Sequence, residues 1–194
     1  MKKLFIVCSL AIVLIGTAAF NAMALPINGA ISFSGTSVQN NADLSVATAF
    51  TGFSNVVVST TGGTGDYAPV TSGQTVTFNP FTFRPSLAPD PLIPLWTFAV
   101  GADTYSFDAT GLTIKYSDYN SISLAFTGIA HITGFDATPG DLYFSATGDG
   151  GTASFSASGH VPPVKAVPEP ATMLLLGTGL VGIGTYSRRK SKEL

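Results

Sequence analysis

The sequence predicts an all-β protein, a β-sandwich or jelly roll of roughly eight to ten antiparallel strands in which two sheets bury alternate apolar faces. Three observations carry this. Several segments alternate apolar and polar residues with period two, short β-branched or aromatic runs are punctuated by Gly, Pro and Asn, and no window of the body keeps a helical period beyond two turns.

The first expected strands are Ala30 to Phe33, Leu44 to Phe50, Val56 to Thr60 and Thr75 to Phe83. Between them, Gly62 to Tyr67 reads as a flexible turn, not a phosphate loop, because no Lys and no helix follow. The stretch from Arg84 to Pro94 carries Pro85, Pro89, Pro91 and Pro94, which excludes a central strand and suggests a crossing between sheets or an edge cover. Pro94 to Val100 is the most apolar run and holds the only tryptophan, so Trp96 is expected at the centre of the core.

Tyr105, Phe107 and Ala109 then alternate with polar neighbours, Gly111 resets the register, and Leu112, Ile114 and Tyr116 continue. From Ile122 to Ile132 the even positions form one apolar face. Thr138-Pro139-Gly140-Asp141 has the chemistry of a turn. Leu142, Phe144 and Ala146, and finally Ala153, Phe155 and Ala157, supply the last two strands.

The N-terminus is built as a cleavable signal peptide over residues 1–24. Met1-Lys2-Lys3 is the basic start, Leu4 to Phe20 the apolar run, and Ala22 and Ala24 the small residues of an A-x-A site for signal peptidase. Cys8 lies within the apolar run, so the mature chain holds no cysteine and gains no disulfide in an oxidising compartment. The exported β domain is placed at 25–160 and a Pro-rich linker at 161–166.

Residues 25–160 contain nine carboxylates, all Asp, against two cations, Arg84 and Lys115, a balance of −7 that the whole-chain value of −2 conceals. Such a body has no basic footprint for nucleic acid and no attraction for anionic lipid.

Signs of catalysis are sparse. The domain has His131 on the polar face of its strand and His160 next to the linker, both expected to be exposed, and no G-x-S-x-G elbow. Asp103 with Asp108, or Asp136 with Asp141, would have to face each other across a cleft for glycoside chemistry, yet these residues sit in turn-like contexts. No cofactor is expected. Calcium is the one metal the carboxylates would suit, and Asp136, Asp141 and Asp149 are its weak candidates, although their spacing fits neither an EF-hand nor a nonapeptide repeat.

The tail has three parts: the rigid step Pro168-Glu169-Pro170, an apolar run from Ala171 to Tyr186, and a basic end (187–194) with Arg188, Arg189, Lys190 and Lys192. At about 1.5 Å per residue the apolar run covers about 24 Å as a helix, short of a hydrocarbon core of about 30 Å. It is expected to be a transmembrane helix whose cations stay cytoplasmic and leave the Pro-Glu-Pro step on the outer face of the inner membrane. Gly177 to Gly182 inside this run fits G-x-G-x-x-G, but without a βαβ context it carries no nucleotide reading.

This arrangement over residues 167–194 resembles the PEP-CTERM sorting signal of Gram-negative bacteria. The resemblance implies recognition by the processing enzyme exosortase, transit through the inner membrane, and delivery to the cell surface or medium. It further implies a non-enzymatic surface or matrix protein associated with exopolysaccharide in flocs or biofilm. The alternative is a carbohydrate-binding module, Ca-dependent and lectin-like, or a carbohydrate-cleaving one, carried by the same tag.

Overall fold

The computed structural model describes residues 24–148 and 150–161. The leader up to Met23, Asp149, and the tail with its expected transmembrane helix lie outside the described residues. Among the described residues no helix is long and apolar enough to cross a membrane.

Among the described residues nine strands are present: β1 (Gly29–Gln39), β2 (Ala49–Gly65), β3 (Thr77–Phe78), β4 (Phe81–Thr82), β5 (Leu92–Val100), β6 (Asp103–Ser117), β7 (Ser121–Ile132), β8 (Thr138–Thr147) and β9 (Thr152–Val161). They form one sheet in the order β3-β5-β6-β7-β8-β9-β1-β2-β4, with antiparallel neighbours throughout. The all-β, antiparallel expectation holds, but two separate sheets do not. The ladder passes without a break from β9 to β1 over ten paired residues, Gly29↔Val161 to Val38↔Thr152, where a sandwich would have changed sheets.

The sheet curls until its inner face meets itself. Phe81 on β4 packs 5.3 Å from Phe126 on β7, and Phe50 on β2 lies 5.1 Å from Phe144 on β8. Register shifts supply local twist in β1/β2 and in β6/β7, the latter at Ala109/Gly111, where the sequence reading places its reset.

One short segment joins the two ends of the sheet. Gln74 and Val76 bond to Val58 and Val56 of β2 at 2.9 and 3.0 Å, Thr77 and Phe78 then pair with Thr97 and Trp96 of β5, and Phe81 and Thr82 return to β2. The expected strand from Thr75 to Phe83 is thus split between both edges.

Four local expectations are corrected. Leu44 to Thr48 is a turn, not a strand, because Asp43 accepts from the Ser45 and Ala47 backbone while Leu44 and Ala47 are buried as loop side chains. Gly62 to Gly65 continues β2 against β1. The turn comes after it, and a Cβ at Gly63 would stand 2.5 Å from the Tyr67 Cβ, so this glycine admits the buried tyrosine. Pro94 lies inside β5, tolerated because the β5/β6 register is irregular between Leu92 and Trp96. Thr138 to Asp141 is the start of β8, with Pro139↔Ile129 and Gly140↔Gly128, and the chain reverses earlier, at Gly134.

The predicted inward residues of β6, β7, β8 and β9 are buried, except that Leu112 and Ile114 are only partly so and Tyr116 is exposed. Trp96 is 1% exposed and stacks between Phe98 and Phe107. The core also explains a glycine pair. Gly128 and Gly140 are in register, and the Phe107 ring lies so close that a Cβ on Gly128 would stand 2.7 Å from it.

Candidate functional site

The carboxylates separate into structural and exposed groups. Asp43, Asp66 and Asp118 hold turns: Asp66 Oδ2 accepts from Asn28 N at 2.7 Å, and Asp118 Oδ1 accepts from Asn120 N and Ser121 N at 3.0 and 2.7 Å. Asp118 also accepts from the Tyr116 hydroxyl. That bond, helped by the two N–H groups, holds its carboxyl below the usual range and raises the phenol.

Asp136 and Asp141 are not brought together. Asp136 precedes β8, its N–H bonded to Leu25 O at 3.0 Å, while Asp141 faces outward from β8 between Thr127 and His160. Gly148 and Gly150 lie past the opposite end of β8, and Gly148 is about 24 Å from Asp141 at about 3.4 Å per residue. Asp149 lies outside the described residues. Among the described residues no group of three or more His, Cys, Asp or Glu is placed to hold a metal ion.

Asp103 is exposed at the start of β6, and Asp108 is engaged by His131, whose Nε2 lies 3.0 Å from Asp108 Oδ2. The His131 ring faces out as expected, but it is tied to the neighbouring strand. His160 is also exposed, yet it sits within β9 between Asp141 and Ala30, and the strand continues to buried Val161, where the linker is expected to begin.

The outer face of β7, β8, β9 and β1 carries a pattern the sequence reading missed. In one row across the four strands stand Ser123, Ser145, Ser156 and Ser34. The next row holds Ser121, Thr147, Ser154 and Thr36, and the row on the other side Ala125, Tyr143, Ser158 and Ser32. These three pairings contain no register shift, so the rows are continuous. Hydroxyls approach across strands at 3.4 Å in Ser145–Ser123 and Ser32–Ser158. Beyond Tyr143, an open recess of ≈ 370 Å³ is lined by Thr110, Thr127, Ile129, Pro139 and Asp141. The one-strand signal was visible as Ser at alternate positions 154, 156 and 158, but the match between strands was not.

The linear signal in the tail has the firmer parentage. The PEP-CTERM protein-sorting motif matches residues 166–190. The chain carries a PEP-CTERM sorting motif. This span takes in Pro168-Glu169-Pro170, the apolar run, and Arg188, Arg189 and Lys190, while Lys192 lies just past it. A PEP-CTERM motif implies processing by exosortase and marks the chain as an exported protein sorted by way of the membrane. No curated protein and no solved structure matches the chain.

Proposed function

We propose that this is an exported, non-enzymatic surface or extracellular-matrix protein. Its leader is removed by signal peptidase after Ala24, and exosortase cuts its tail at or near Pro168-Glu169-Pro170. The β body is then left at the cell surface or in the medium, associated with exopolysaccharide. The observation that carries this reading is the sorting motif at residues 166–190 behind a separate β body. The body's acidity supports it by disfavouring nucleic acid and anionic lipid as partners.

The tail is tested by mass spectrometry of the exported protein. Glu169→Ala, or removal of the cluster from Arg188 to Lys192, leaves an unprocessed precursor in the inner membrane, whereas the parent chain loses its C-terminus. Wild-type protein found at the surface with Leu194 still attached overturns the proposal.

Carbohydrate binding by the same body is the second reading. It is favoured by the hydroxyl rows and by the recess at Asp141.

A further inference from the structure

We infer that the outer face of β7, β8, β9 and β1 is a docking surface for a neutral, hydroxyl-rich polymer, a glycan chain lying across the hydroxyl rows with one ring on Tyr143. This rests on the reading of the protein as an exported matrix component and names the part of it that meets the matrix.

The face is built for a ligand without charge. Its three complete rows hold no Asp, Lys, Arg or His, in a body that otherwise carries an excess of carboxylate. Among the described residues of these four strands, the first charged groups, Asp141 and His160, stand one row beyond Tyr143, where the recess opens. Each Ser or Thr hydroxyl both donates and accepts, so the rows pair with a polyol in either sense, and an array of fixed charges would not.

Tyr143 is the one large side chain in the rows. It is 55% exposed, and its cross-strand partners are Ala125 and Ser158, both too small to cover the ring. An aromatic ring left bare among hydroxyls offers an apolar platform for the C–H face of a sugar, while the surrounding hydroxyls take its edge.

The other occupants fit less well. Nucleic acid needs cations to neutralise phosphate, and an acyl surface needs an apolar face; the rows supply neither. A protein partner needs area. Four strands at about 4.8 Å and three rows at about 6.7 Å make a plate of roughly 400 Å², half of the ~800 Å² per side of a stable interface. A single extended chain needs no more than this.

The test is affinity electrophoresis of the full chain in mild detergent, through gels containing dextran or hydroxyethylcellulose as neutral probes and alginate as an anionic one. At least one neutral polymer should retard the protein and alginate should not. Tyr143→Ala and Ser156→Glu should each weaken retardation about tenfold. Both side chains point outward, and an unchanged Trp96 emission spectrum certifies the fold of each variant. No retardation by either neutral polymer, equal retardation of both folded variants, or preference for alginate overturns the inference. So does a doubled solution mass without polymer that Ser156→Glu reverses, which would give the face to a second copy. C-terminal processing, read by mass in the producing cells, is unchanged in both variants, so failure of the parent chain to bind either neutral polymer while its processing is intact sinks the docking face alone.

Discussion

Phe33 on β1 and Trp96 on β5 pack with ring centroids 4.9 Å apart, although four strands stand between them in the sheet. The contact records how far the sheet has curled, since no flat sheet brings those strands within reach. Phe33 also meets Phe78 and Phe98, so one ring ties β1 to the short closing strand β3 and to β5.

Phe33→Ala therefore removes a contact across the interior as well as buried area, and its cost is about 3–5 kcal/mol. Urea unfolding followed by the fluorescence of the only tryptophan measures it directly. A loss below about 1 kcal/mol would mean that the two strands do not face each other.

Gly128→Ala places a Cβ 2.1 Å from the Asp108 carbonyl oxygen, a backbone atom that cannot swing away. A destabilisation of about 2 kcal/mol or more follows. Gly52→Ala is its control, because a Cβ there meets nothing within 4 Å, and its effect stays within about 0.5 kcal/mol. Comparable thermal midpoints for the two variants would contradict the packing of β6 on β7.

Arg84 holds a loop with no carboxylate partner among the described residues. Its guanidinium donates to Leu44 O at 3.0 Å, to Ala47 O and to Ser117 Oγ at 2.7 Å, fastening the Leu44 turn to the end of β6. Arg84→Met leaves these acceptors without their donor and costs about 2 kcal/mol, and Arg84→Lys recovers only part because an ammonium lacks the planar fork. Denaturant midpoints of the three proteins, ordered Arg, Lys, Met, are the expected result.

Tyr67 sets an alkaline limit. Burial, and then the nearby Asp66 and Tyr105, push its phenol well above the ordinary tyrosine value. Because the folded value lies above the unfolded one, this stabilisation is complete below about pH 10 and is lost as pH rises beyond it, where the unfolded chain ionises first. Tyr67→Phe has no proton to lose, so its stability falls less steeply between about pH 10 and 12. Parallel curves for the two proteins would show that the ring is not buried.

The sequence by itself determined what depends on near neighbours along the chain. Alternation along β7, from Ile122 to Ile132, named the inward face because strand geometry sends successive side chains to opposite sides. The tail was legible for a related reason. A sorting motif is recognised as a linear string, so Pro168-Glu169-Pro170 and its basic end declare themselves without a fold.

The tertiary structure decided which strands meet. Whether β9 joins β1 or begins a second sheet depends on residues more than a hundred positions apart, and no local period encodes that partnership. The same holds for the hydroxyl rows. Ser34, Ser145 and Ser156 are ordinary surface serines until register aligns them across three strands, and register follows from how the buried aromatics of a curled sheet pack together.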